Sequence, residues 1–144
     1  SKEHHFGLLA CWKIRRGFEL KVEPKRIANW FNNFWATHLE AHFIAEEKTL
    51  FNVIKHTLVD QALEQHLKLT NLITLISKEA NTEQLTEFAN LLEQHIRFEE
   101  RQVFKMLQQE LSEEKLDEIG TQLNQLHEEH FEDNYKDEFW LIKE

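Results

Sequence analysis

PKRIANWFNNFWATHLEAHFIAEEKTLFNVI, residues 24–54, holds the reading on which the fold depends. After Pro24 no glycine or proline interrupts it, and apolar side chains recur at Ile27, Trp30, Phe31, Phe34, Trp35, Leu39, Phe43, Leu50, Phe51 and Ile54. Steps of three and four residues place such side chains on one face of a helix. Proline at a first helical position loses only an N–H that would be unpaired there anyway, so Pro24 is a natural start. The spacing predicts one long helix from Pro24 to about His56, with an apolar face that must be buried against partners.

The chain on either side supplies them. Residues 2–16 are predicted as a first helix, with Arg15 and Arg16 in its last turn and Gly17 as its stop. Asp60 is expected to cap a third helix that runs to about Glu79 and carries Leu63, Leu67, Leu69, Leu72, Ile73 and Ile76. Asn81 or Thr82 is expected to cap a fourth, with Leu85, Phe88, Leu92, Ile96, Val103 and Leu107. Ser112, followed by Glu113 and Glu114, reads as another start. The acidic stretch HEEHFEDNYKDEFW, 127–140, follows Gly120 and a Gln/Asn-rich turn, and is expected to form a final helix or solvated tail. Short connections make neighbours antiparallel. The expected fold is all-α: an antiparallel up-down four-helix bundle with an additional C-terminal helix. It forms a single domain over 1–144, with the bundle in 2–110 and the helical extension in 112–144.

Composition agrees. With three glycines and one proline in 144 residues, the turn chemistry of an all-β fold is missing. A net charge of −9 argues against a nucleic-acid backbone or an anionic membrane surface as partner. The opening SKEHHF does not read as a signal peptide, and no apolar run approaches the roughly 20 residues of a membrane span. The lone Cys11 excludes an intrachain disulfide and suits a reducing, cytoplasmic setting.

Within the long helix lies HFIAEEKTLF (42–51), and the fourth helix carries HIRFEERQVF (95–104). Both read H-x-x-x-E-E-[KR]-x-ϕ-F, with ϕ apolar. Residues i and i+4 share a helix face about 6 Å apart, so His42 with Glu46, and His95 with Glu99, can each present an imidazole and a carboxylate to one cation. An isolated HxxxE is more often a solvated pair. These two are set among Leu39, Phe43 and Leu50, and among Leu92, Ile96 and Val103, where an uncompensated carboxylate costs several kcal/mol. The repeat therefore reads as two halves of one metal site. His66 lies in the apolar stripe of the third helix as a further candidate ligand. The first helix offers His4 or His5; the summed direction of its apolar residues falls close to His4, with His5 second. His38, one turn before His42, is read chiefly as an outer partner and less readily as a ligand. His56, with Asp60 four residues on, reads as surface, and His127 and His130 as part of the acidic tail.

The combination of EHHFGLLACWKI, HFIAEEKTLF, LEQHLKL and LLEQHIRFEERQVF over residues 3–107 resembles the hemerythrin-like family, the His-His-Glu cation-binding domains. The resemblance implies a four-helix bundle around a non-haem centre of two iron ions, with His4, His42, Glu46, His66, His95 and Glu99 as ligands and both glutamates bridging. It also implies a small ligand: oxygen, nitric oxide or iron itself. Oxygen-carrying members have a second histidine where this chain has Thr70, and an aspartate at the spacing of Glu100. Counting four histidines, two bridging carboxylates and an oxo bridge against two six-coordinate irons leaves about two positions open, which argues against simple oxygen carriage. The reading that follows is a di-iron binding or sensing protein rather than an enzyme, since the Glu-x-x-His pairs of ferritin-like oxidases do not occur. The alternative is a di-iron redox enzyme, or an iron-donor or repair protein acting on nitric oxide or oxygen species.

Overall fold

The computed structural model describes residues 2–126 and 135–141. Helix α1 (Lys2–Glu19) is followed by α2 (Pro24–Phe34), which continues through a π turn, Trp35–Leu39, into α3 (Glu40–Thr49). Then come α4 (Thr57–Lys78) and α5 (Thr82–Phe98), which passes through a second π turn, Glu99–Val103, into α6 (Phe104–Glu110); α7 (Glu113–Leu126) follows. The described residues are all-helical apart from turns and the segment 135–141, as the apolar spacing requires. Helix α1 packs along α5, α4 along α5, and α2 against α1, α4 and α5. Helix α7 closes one end against α3 and α6. Among the described residues no helix is long and apolar enough to cross a membrane.

The helix ends differ from the sequence reading in informative ways. Gly17 does not stop α1, which runs two residues further. Lys21 takes the left-handed conformation (φ 58°), with Val22 N–H bonded to Gly17 O at 2.9 Å and Lys21 N–H to Phe18 O at 3.0 Å. That is the paired-bond ending usually given to glycine. Gly17 is needed for space: a Cβ there would lie 2.7 Å from Ile27 Cδ1 and 2.8 Å from Phe139 Cε1. Asp60 is not the cap of α4. His56, half-buried rather than free on the surface, accepts Leu58 N–H on Nδ1 at 3.1 Å and takes that role. Asn81 caps α5 through Glu83 and Gln84 N–H, and Ser112 Oγ accepts from Lys115 N–H. Gly120 lies inside α7 rather than before a last helix.

Two apolar cores fill the bundle. The larger contains Ile14, Ile27, Trp30, Phe31, Phe43, Leu69, Phe88, Leu92 and Ile96. The smaller contains Leu50, Phe51, Val59, Ala62, Val103, Met106, Leu107 and Ile119. On three helical segments the candidate ligands fall where the larger core gives way to the smaller: His42 and Glu46 between Leu39 and Leu50, His66 between Leu69 and Ala62, and His95 and Glu99 between Leu92 and Val103. The polar layer therefore crosses the bundle between two dry cores. Of the C-terminal stretch, residues 127–134, which include His127 and His130, lie outside the described part. Residues 135–141 are neither helical nor a solvated tail. Phe139 and Trp140 are buried in the larger core, Arg26 pairs with Asp137 through two hydrogen bonds, and Lys13 Nζ sits 3.9 Å from the Trp140 ring and 5.1 Å from the Trp30 ring, where ring faces attract a cation.

Candidate metal centre

The i, i+4 geometry does locally what the spacing implies. Glu46 and Glu99 are 1% and 0% exposed, buried deeper than almost any carboxylate in a soluble protein. His42 Nε2 lies 3.3 Å from Glu46 Oε1, and His95 Nε2 contacts Glu99 Oε1. Antiparallel packing then brings the two faces together. His66 Nε2 from α4 approaches Glu46 Oε1 at 3.4 Å, Glu99 Oε1 at 3.9 Å and His95 Nε2 at 3.0 Å. His4 Nε2 from α1 reaches Glu99 Oε2 at 3.3 Å.

Among the described residues two sets of potential ligand atoms result, each within 4.8 Å: Glu46, His66, His95 and Glu99; and His4, His42 and Glu46. Glu46 belongs to both. Glu99 turns Oε1 towards His95 and His66, and Oε2 towards His4. Hydrophobic rings hold the imidazoles in place: His66 stacks on Phe43 at 4.0 Å, and His4 on Phe104 at 5.5 Å.

The electrostatics fit a cation. Burial opposes ionisation of Glu99, but contacts from Glu46, His4, His66 and His95 outweigh it and hold the carboxyl well below the usual range. Burial likewise opposes a charge on His4, yet Glu99 and Glu100 on its two sides raise its pKa. For His95 burial wins and the pKa is lowered, which leaves a neutral ring with a lone pair to give. Neither oxygen of Glu99 has a hydrogen bond of good geometry, although both are fully buried. Oxygens this crowded by ring nitrogens and this poorly hydrogen-bonded are what a divalent cation with nitrogen and oxygen ligands would satisfy.

Two residues outside the predicted set orient these rings by hydrogen bonds, and a third, Glu47, lies beside one without bonding it. His95 Nδ1–H donates to Gln65 Oε1 at 2.6 Å, which leaves Nε2 unprotonated. His4 Nδ1–H donates to Glu100 Oε1 at 3.0 Å. Glu47 Oε1 lies 3.6 Å from His66 Nδ1. Each is the chain neighbour of a residue facing the layer, and each lies beside a histidine of a different helix. The repeated Glu-Glu doublet thus has a common form: the first carboxylate faces inward, and the second lies beside a ring of the next helix, bonded to it at Glu100 and 3.6 Å from it at Glu47. Adjacency to a candidate ligand was the available signal; which helix lies alongside was not. His38, in the first π turn, belongs to neither set; its buried ring packs against Phe6 and Phe34 and stacks on His42 at 6.4 Å. His5 is exposed and packs on Phe6, away from the carboxylates. Thr70 is exposed, its hydroxyl donating to His66 O at 2.8 Å.

Comparison with known proteins follows this geometry. The sequence model of the hemerythrin HHE cation-binding domain matches residues 3–107, the whole span that carries the layer. No curated protein and no solved structure matches the chain significantly. Because the match covers most of the chain and ends just beyond the second His/Glu pair, we conclude that this metal-binding protein belongs to the hemerythrin HHE cation-binding domain family.

Proposed function

We propose that the polar layer holds two iron ions and that the chain uses them to bind or sense a small ligand: oxygen, nitric oxide or iron itself. The observation that carries this reading is the sharing of carboxylates. Glu46 lies in both sets of candidate ligands, and the two oxygens of Glu99 face different histidines. In this reading His66 and His95 serve one ion, His4 and His42 the other, and Glu46 and Glu99 span the pair. Bound iron would supply open positions for a diatomic ligand and a reversible change of oxidation state. The chain's own residues set the conditions. Gln65 and Glu100 fix the rings of His95 and His4 with the lone pair inward. Phe43 and Phe51 pack on the ring of His66 and Phe104 on that of His4, which keeps their surroundings largely apolar.

The test is to purify the full chain under anaerobic, iron-replete conditions, measure metal per chain, and record optical spectra with and without oxygen and nitric oxide. Two irons per chain, with new absorption on adding one of these gases, is the expected result. One iron or none, or a spectrum that neither gas alters, overturns it in turn for the centre or for the gas.

A further inference from the structure

A cleft of about 430 Å³ opens on the outer side of α3 and α4, with Glu40, Ile44, Glu47, Leu63, His66 and Leu67 in its lining. Its walls are apolar, and Ile44, Leu63 and Leu67 are exposed there. Among the described residues the lining carries two carboxylates and no Lys or Arg. Glu40 and Glu47 are two turns apart on one face of α3, about 10 Å along the axis. His66 sits at the floor with one nitrogen on each side. Its Nε2 points to Glu46 and His95. Its Nδ1, in a residue only 3% exposed, has no hydrogen-bond partner and lies 3.6 Å from Glu47.

From this arrangement we infer that the cleft is the route by which a divalent cation reaches the centre. The inference rests on the reading that the His/Glu layer holds metal. Glu40 and Glu47 attract the hydrated cation to a low-dielectric mouth, where opposed charge raises local concentration most. The Nδ1 of His66, beside Glu47 but without a hydrogen bond, is the first nitrogen the cation meets, and Nε2 of the same ring already approaches the inner carboxylate of Glu46. Glu47 and His66 offer donor atoms that replace the ion's water as it arrives. No bond forms or breaks except to the cation, and water is displaced.

The experiment follows uptake of Co²⁺ by the metal-free full chain in a stopped-flow instrument, using the ion's visible absorption. Glu40→Gln removes one attracting charge, and Leu67→Arg places a repelling one at the mouth. Both side chains are exposed, Leu67 although it follows His66 in the chain, so neither substitution removes core packing. Glu87→Gln, exposed on α5, controls for the change in net charge. The expected result is uptake slowed about tenfold by Leu67→Arg and less by Glu40→Gln, with the control at the wild-type rate and with final stoichiometry and release rate unchanged. The gap should narrow as salt is added. Equal uptake rates in all variants overturn the route while leaving the centre intact. Faster release in the two cleft variants also overturns it, since the cleft then affects holding rather than delivery. Wild-type chain that takes up no Co²⁺ removes the centre and the route together.

Discussion

Each buried carboxylate of the layer touches histidines from more than one helix, so its removal strikes both halves of the site. Glu46→Ala and Glu99→Ala are expected to lose most of the bound metal, measured as metal per chain. His38→Ala, whose ring packs on Phe6, Phe34 and His42 and belongs to neither set of candidate ligands, should weaken binding by about tenfold or less. Equal losses in all three variants would make His38 a ligand. Cys11 offers a test independent of metal. Burial pushes its thiol up to about 12, and Sγ donates to Ala89 O at 3.3 Å. The thiolate is the nucleophile, so an alkylating reagent at neutral pH should modify the native chain negligibly and the denatured chain fully; rapid native labelling would show that α1 and α5 separate. At this scale the inward-facing pairs were legible, because a spacing of four is a property of one helix. Gln65 and Glu100 are not legible as ring supports, because each acts on a different helix from its own.

The three glycines all lie within helices, yet their neighbours assign them different roles. A Cβ at Gly120 would meet nothing within 4 Å, so Gly120→Ala should stabilise by about 0.5–1 kcal/mol through helix propensity alone. At Gly17 the same gain is opposed by contacts under 3 Å with Ile27 and Phe139, both fully packed. Overpacking costs about 1–3 kcal/mol, so Gly17→Ala should be net destabilising. Gly7 meets only the mobile end of Ile96 at 2.7 Å and should fall between. Urea unfolding of the three variants checks the order, and a Gly17→Ala chain more stable than wild type would break it. Helix existence and apolar faces were readable because local periodicity dictates them. The stop at Lys21, the cap at His56 and the two π turns were not. A residue in a left-handed ending need not be glycine when two backbone bonds hold it, and a π turn leaves the composition of its helix unchanged. Each adds a residue without completing an extra turn, so the face beyond it is rotated by about 100°. The second π turn begins at Glu99 itself.

Over the whole molecule, candidate ligands reach from His4 in α1 to Glu99 at the end of α5, so metal ties together helices that span most of the chain. A ligand that binds only the folded state at 1,000 times its dissociation constant stabilises by about 4 kcal/mol. For a domain of this size that is on the order of 10 °C. Chelation should lower the melting temperature by several degrees while the far-ultraviolet helical signal persists, because both apolar cores remain. A melting point unchanged after verified metal removal would contradict the centre. The C-terminal stretch was the poorest reading at this scale. Its acidic composition suggested solvation, but two aromatic residues among the acids, Phe139 and Trp140, are enough to anchor residues 135–141 in the larger core. The layer between those cores has one more consequence. A polar seam is a fault line: with its charges unneutralised, the two halves lose the interactions that couple their unfolding. Amide protons around Ile14 and Phe88 and those around Val59 and Val103 should then exchange with solvent as separate cooperative units, and metal should fuse them into one.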